Sequence, residues 1–177
     1  MRVLGPKSFG QALTEWAVHE VRGRFKSGAA LDALPPAEGR FRAVRFLLKN
    51  RRDVIAAIVA AQLVDCVSVE VQPDDLPLML TMGAVPLDRL SSNMIAAPET
   101  DESGRWVRRL AAADGDVAGP FLGIARDPAG PVTLLDGLHR AAAWVAHAKA
   151  GRHYPILVDV AITAEAAYYF ELPMLKA

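Results

Sequence analysis

Val132-Thr133-Leu134-Leu135-Asp136-Gly137-Leu138-His139-Arg140 is the stretch that decides the fold, because a short apolar strand runs into a helix there. The alanine-rich segment from Ala141 to Ala150 continues as that helix. Gly137 permits a sharp turn between strand and helix and a close approach of a ligand to the backbone. The N–H groups of a first helical turn, together with the helix dipole, favour an anion at this point.

His139 and Arg140 stand in that first turn, where a cation is unfavourable for the helix alone. A phosphate gives them a reason to be there, because a guanidinium binds phosphate through two hydrogen bonds. The alternative is that both side chains only cap or solvate the helix start. Asp136 can hold a metal ion, orient His139 or cap the helix. The turn therefore predicts an anion site formed by Asp136, Gly137, Leu138, His139 and Arg140.

This turn, followed by Gly151 and the strand-like Tyr154 to Val160, resembles the core of the ParB/sulfiredoxin superfamily, where a strand ends in D-G-x-H-R. Val85 to Leu90 resembles the opening strand of that family, and Gly104 to Asp114 resembles its first helix. The resemblance covers residues 85–163. It implies an α/β (α+β) fold with a small mixed sheet and surrounding helices. Residues 1–80 are expected to form a helical N-terminal extension packed on this core, and residues 164–177 a short C-terminal helix or tail.

Members of that superfamily with different activities have different residues in this turn. Sulfiredoxins carry their catalytic cysteine at the position of Leu138, and Cys66 lies outside the motif, which argues against sulfiredoxin chemistry. Partition proteins have an arginine-rich turn and a following helix-turn-helix region, and this chain has neither. The closest patterns are nucleotide-binding kinases of free serine and small ATPase or nuclease members. The resemblance thus implies a nucleoside triphosphate, with ATP the first candidate, and Mg²⁺ held by Asp136.

An acidic stretch before the predicted first helix supplies candidate catalytic groups. The serine kinases use an acid at this place as the base, and here Glu99, Asp101 and Glu102 are available. Each can act as a general base or Mg²⁺ ligand, or can be an ordinary solvated loop residue. Glu99 is favoured over Glu102, which is close enough to Gly104 to cap the helix. The candidate catalytic residues are Glu99, Glu102 and Asp136, and Arg105 is a candidate phosphate contact.

Two classes of function remain open at this stage. The first is an enzyme that hydrolyses a nucleoside triphosphate or cleaves DNA with a divalent metal. The second is a non-catalytic binding or inhibitory protein, for example a plasmid-encoded suppressor of conjugative DNA transfer, such as the similarly sized oncogenic-suppression type. That type is reported to have ATPase and DNase activity, so it spans both classes. A small-molecule kinase of the free-serine type is a further alternative.

Charge is unevenly distributed although the 177-residue chain is neutral as a whole. Residues 1–60 carry eleven Lys/Arg and five Asp/Glu, whereas residues 61–104 carry one and eight. A basic and an acidic face are expected, which can also be ordinary solvated surfaces. The basic segment can bind DNA along its phosphate backbone or bind an acidic protein partner; it contains Arg40, Arg42, Arg45, Lys49, Arg51 and Arg52.

The rest of the sequence predicts further helices and strands and the cellular location of the protein. One cysteine, Cys66, allows no internal disulfide and is expected to be a small buried hydrophobe. No membrane span or signal peptide is expected, so the protein is predicted to be cytoplasmic. Trp106 is expected to face the core and His147 to be exposed or to lie at an interface. The expected elements outside the core are helices 8–27, 53–65, 74–82 and 163–170, a strand at 67–71, a loop at 34–39 and an irregular stretch at 91–103.

Overall fold

A computed structural model describes residues 1–24, 35–50, 65–117 and 119–162, which form a mixed α/β structure around a seven-stranded sheet. The strands are β1 (Arg2–Ser8), β2 (Asp65–Val71), β3 (Met79–Thr81), β4 (Val85–Pro86), β5 (Phe121–Ala125), β6 (Val132–Asp136) and β7 (Ile156–Ile162). The helices are α1 (Phe9–Arg24), α2 (Pro36–Asn50), α3 (Leu87–Ala96), α4 (Glu102–Ala111), α5 (Leu138–Lys149) and a 3₁₀ helix at Pro73–Leu78.

The sheet has the strand order β1-β2-β7-β5-β6-β3-β4. Two neighbouring pairs, β3 with β6 and β5 with β7, are parallel, and the other four pairs are antiparallel. Every residue of β5 and β6 is buried, as expected of central strands that are covered on both faces. The candidate turn leaves the sheet at the end of β6, where Asp136 is buried and residues 137–140 are half-buried.

Helices cover both faces of the sheet. On one face, α3, α4 and α5 pack against one another, and Trp144 of α5 joins Val158 and Val160 of β7 in the main core. Asp159 alternates with these valines, so its side chain points to the opposite face. There Lys7 Nζ lies 2.8 Å from Asp159 Oδ2 and also pairs with Glu15 of α1. Helix α1 therefore lies on the face opposite α5.

The N-terminal part of the chain contributes to this same sheet. Residues 1–80 were expected to be a helical extension, and their described part indeed includes α1 and α2. It also provides β1 and β2, and β2 pairs with β7 over its whole length. The described N-terminal residues thus extend the sheet, and are more than a helical layer packed on it.

Much of the predicted element pattern is confirmed. The strand near 67–71, the strands at 121–125 and 132–135, the helix from 138 and the strand from 156 all form within one or two residues of their expected bounds. The predicted turn at Asp127 to Gly130 is closed by a 3.0 Å hydrogen bond from the Gly130 N–H to the Asp127 carbonyl. Cys66 is buried in β2, and burial raises the pKa of its thiol to about 11.

Four expectations about elements are wrong. The strand expected at the start of the segment Val85 to Leu90 ends at Pro86, and α3 begins at Leu87, whose side chain is buried. The loop expected at 34–39 is helical from Pro36, because a proline at the first helical position loses no helical hydrogen bond. The stretch expected to be irregular at 91–103 contains the end of α3, where the buried Ser91 hydroxyl donates to the Ala142 carbonyl at 2.7 Å. The helix expected at 74–82 is a 3₁₀ helix that ends at Leu78, and β3 pairs with β6 instead.

Two side chains also differ from expectation. Trp106 is 48% exposed and does not face the core. His147 is buried, since its Nδ1 bonds the Tyr154 hydroxyl at 2.7 Å and its Nε2 lies 3.0 Å from the Ala111 carbonyl. Both ring nitrogens therefore have the partners that a buried imidazole requires.

Several predictions fall outside the described residues: the end of the first helix beyond residue 24, the helix at 53–65, and the C-terminal helix at 163–170. In the part of the chain that is described, no helix is long and apolar enough to span a membrane.

Candidate functional site

The predicted change from strand to helix occurs at Gly137. Strand β6 ends at Asp136, Gly137 is the N-cap with a left-handed φ of 86°, and α5 begins at Leu138. A Cβ atom at Gly137 would lie 2.7 Å from the Phe121 ring, so both the backbone conformation and the packing require glycine. Because glycine has no capping side chain, the N-terminus of α5 has no side-chain N-cap.

Arg140 is fixed against the inner wall of this turn. Its Nη2 donates to the Pro120 carbonyl at 3.0 Å and lies 3.5 Å from Asp136 Oδ2, while its Nη1 bonds His19 Nε2. The guanidinium carbon lies 5.2 Å from the centre of the Phe121 ring, within range of a cation–π contact. Both terminal nitrogens therefore already contact protein groups.

Helix α1 supplies the partners that hold this arrangement. The Trp16 indole Nε1 donates to Asp136 Oδ2 at 2.9 Å, and both residues are buried. His19 accepts from Arg140 only when its Nε2 is unprotonated. Burial, and then the nearby guanidinium of Arg140, lower the pKa of His19 to about 4, so the imidazole is neutral at pH 7.

The turn, α1 and α4 surround an open cavity of about 280 Å³. All five residues of the predicted anion site line it. The complete lining is His19, Glu20, Trp106, Leu110, Leu135, Asp136, Gly137, Leu138, His139 and Arg140. The α1 and turn residues make one side polar, and Trp106 and Leu110 make the α4 side largely apolar.

The other predicted site residues lie elsewhere. Among the described residues, Glu99, Glu102 and Arg105 are not part of the cavity lining. The Glu99 side chain is 84% exposed and pairs with Arg108 at 3.3 Å. Asp101, and not Glu102, caps α4, since its carboxylate accepts the Gly104 N–H at 2.6 Å. The acidic stretch is therefore a solvated, helix-capping loop in this structure.

Sequence reasoning missed the part that α1 plays in the site. His19 and Glu20 follow Trp16 by three and four residues, and therefore share its side of the helix. Glu20 is only 7% exposed, beside the buried Ala17 and Val21. An acid on the apolar face of an amphipathic helix is a signal that could have identified this residue.

The same geometry tests whether Asp136 suits Mg²⁺. Its Oδ2 already accepts from Trp16 and lies beside the Arg140 guanidinium. A second cation at that oxygen would be repelled by the first and would compete with two donors. Within residues 1–24, 35–50, 65–117 and 119–162, no group of three or more His, Cys, Asp or Glu side chains could hold a metal ion. The residues do not fit a protein-built Mg²⁺ site.

The basic segment forms a separate surface on α2. Arg40, Arg42, Arg45 and Lys49 are exposed there, and Arg42 pairs with Glu38 at 2.8 Å. Phe41 is 66% exposed among them. Arg51 and Arg52 lie outside the described residues. DNA binding by this segment remains a prediction.

Comparison with protein-family models, with curated proteins and with solved structures gave no significant match to this chain. The resemblance to the ParB/sulfiredoxin superfamily therefore rests on the motif alone and stays a prediction.

Proposed function

We propose that the protein binds a nucleoside triphosphate, with ATP the first candidate, and that the phosphates occupy the cavity at the N-terminus of α5. The observation that carries this proposal is that the whole turn from Asp136 to Arg140 lines one cavity together with His19 and Trp106. Convergent polar groups in a concave site with an apolar wall are the usual features of a small-molecule site.

The phosphates would be bound mainly by the backbone. The N–H groups of the first turn of α5 point out of the helix end, and the N-cap residue Gly137 has no side chain that could accept from them. The cavity volume of about 280 Å³ is at the small end for ligand sites, which suits the phosphate end of a nucleotide with the remainder at the mouth.

Arg140 would contribute through its charge more than through a bidentate grip. Its two terminal nitrogens bind Pro120, Asp136 and His19, so the guanidinium is held at one position in the cavity wall. Because Asp136 and Glu20 also line the cavity and His19 is neutral, the guanidinium offsets part of their negative charge, and the backbone N–H groups of α5 remain the main contacts for an anion.

Turnover is the less favoured form of this function. Hydrolysis of the bound triphosphate, or cleavage of DNA, requires a general base that takes a proton from the attacking water, and Asp136 and Glu20 are the carboxylates in the cavity lining. Asp136 Oδ2 is occupied by Trp16 and Arg140, which favours a binding role. Glu99 and Glu102 would have to close over the ligand to act as bases, and a free-serine kinase would need the same movement.

The favoured candidate is therefore a non-catalytic nucleotide-binding or inhibitory protein, of which a suppressor of conjugative DNA transfer is one example, and an enzyme is the second candidate. The engaged Asp136 carboxylate supports the non-catalytic candidate, and the exposed basic helix α2 offers a surface for a polyanionic partner. In that case the nucleotide would stabilise the fold or control partner binding, and would not be consumed.

Calorimetry with Mg²⁺-ATP and Mg²⁺-CTP tests the binding site. Arg140→Ala should weaken ATP binding about tenfold or more, which corresponds to about 1.4 kcal/mol, because the variant removes the guanidinium that offsets the carboxylates of the cavity wall. The matched control is Arg105→Ala, an exposed arginine outside the cavity lining, which should bind like the wild type. Equal affinities in all three proteins would contradict the proposed site.

Phosphate release and plasmid nicking, measured on the same preparations, distinguish the two candidates. Loss of a general base lowers a rate by about 10² to 10⁴. If the protein is an enzyme, Asp136→Asn, Glu99→Gln or Glu102→Gln should show such a loss while ATP binding persists. Binding without turnover in the wild type would establish the non-catalytic candidate.

A further inference from the structure

Trp106 is an exposed tryptophan on an otherwise polar helix surface. It is 48% exposed, whereas the other two tryptophans of the chain, Trp16 and Trp144, are at most 1% exposed. Its neighbours Arg105 and Arg109 are exposed too, so Trp106 does not belong to the buried stripe of α4, which is formed by Gly104 and Val107. Packing of α4 therefore does not explain a large aromatic side chain at this position.

The surroundings of Trp106 orient its ring. The Arg109 guanidinium carbon lies 5.6 Å from the ring centre, three residues along the same helix, within range of a cation–π contact. Leu110, one helical turn after Trp106, lines the same cavity. The α4 wall thus presents an apolar surface and an oriented indole ring to any molecule in the cavity.

The two walls have different chemistry. The turn and α1 provide a helix N-terminus and charged side chains of both signs, those of Arg140, Asp136 and Glu20, whereas α4 provides the indole and a leucine. A bare polyphosphate would use only the first wall. A ligand that uses both needs an anionic end and a flat, apolar end, and a nucleotide has these two parts.

We propose that Trp106 is the platform on which the base of the nucleotide stacks, and that the site prefers a purine nucleotide to a pyrimidine nucleotide and to inorganic polyphosphate. This inference rests on the proposed nucleotide binding. Stacking on an aromatic side chain adds affinity for any base and adds more for the larger purine ring system. Arg109, which contacts the indole, restricts the ring and lowers the cost of ordering it on binding.

Calorimetry with two probes, Mg²⁺-ATP and sodium tripolyphosphate, tests the platform. Trp106→Ala should bind ATP about tenfold more weakly and tripolyphosphate as tightly as the wild type does. Trp106→Phe should keep most of the ATP affinity. Phe41→Ala removes an exposed aromatic side chain from α2 and should change neither affinity. Because Trp106 is about half exposed and lies outside the buried stripe of α4, its variants should remain folded with a melting temperature close to that of the wild type, which circular dichroism verifies.

Fluorescence gives a second readout from the same residue. Trp16 and Trp144 are buried, so quenching by a stacked base should come from Trp106. ATP should quench the emission, tripolyphosphate should not, and Trp106→Phe should lose the response.

The outcomes separate this inference from the proposed function. If Trp106→Ala binds ATP like the wild type, or loses ATP and tripolyphosphate affinity equally, the platform is overturned and the anion site stands. If the wild type binds tripolyphosphate and ATP with equal affinity, the platform is likewise overturned. If it binds neither, both proposals fail.

Discussion

The turn at Asp136 to Arg140 and the acidic stretch at Glu99 to Glu102 carry similar chemical groups in opposite environments. Asp136 is 6% exposed, and its carboxylate is fixed by an indole N–H and a guanidinium. The Glu99 side chain is 84% exposed and forms a surface ion pair with Arg108. Residue type alone therefore did not locate the candidate site. Contacts from α1, which is distant in sequence, hold the Asp136 carboxylate in the cavity wall, whereas the Glu99 carboxylate is solvated.

The contrast has energetic consequences. Side chains that are held by buried partners lose their conformational entropy when the protein folds. A ligand therefore binds them without the cost of ordering them. An exposed carboxylate would have to be ordered when the ligand binds. Substitutions in the turn should therefore affect stability strongly, and substitutions in the acidic stretch should affect it weakly.

Asp136→Ala should produce the largest loss of stability. It leaves the buried Trp16 N–H and the Arg140 charge without this acceptor, and breaking a buried ion pair costs about 3–5 kcal/mol. The matched change Glu99→Ala should cost only about 0–1 kcal/mol, as for other surface ion pairs. Urea unfolding of both variants measures the two values. Similar losses of unfolding free energy in the two variants would contradict the difference between the turn and the acidic stretch.

Gly137→Ala should come next. A residue with a Cβ atom is strained at a φ of 86° by about 1–3 kcal/mol, and this Cβ would also collide with the Phe121 ring. Gly10→Ala is the control, because a Cβ there meets nothing within 4 Å and alanine favours the helix by about 0.5–1 kcal/mol. Unfolding curves should show opposite shifts; a tolerated Gly137→Ala would mean that the turn is less constrained than described.

A smaller effect is expected from the pH dependence of His19. Its pKa falls from 6.5 in the unfolded chain to about 4 in the folded protein, so the unfolded state binds more protons between these values. Its contribution to stability is complete above pH 6.5 and is lost as the pH falls towards 4. His19→Gln retains an acceptor for Arg140 but does not titrate. Urea unfolding at pH 7 and pH 4.5 should show a larger loss for the wild type than for this variant; equal losses would indicate that His19 does not titrate as described.

Whether the sequence predicted a feature of the structure depends on how far apart in sequence the contacting residues lie. The strand, glycine turn and helix at 132–149 follow from local patterns, and all of them were predicted. The bond between Trp16 and Asp136 joins residues 120 positions apart, and no periodicity reports such a contact. The same is true of β2, whose alternation predicted a strand but not its pairing with β7. The turn was therefore found from sequence, and the wall of the cavity that α1 provides was not.

The most direct test is a titration of ¹⁵N-labelled protein with Mg²⁺-ATP, followed by amide chemical shifts. If the phosphates bind at the N-terminus of α5, the largest shifts should come from Gly137, Leu138, His139 and Arg140, with little change at Glu99 and Glu102. Shifts that concentrate in the acidic stretch or on α2, or no shifts at millimolar ATP, would contradict a nucleotide site at this turn.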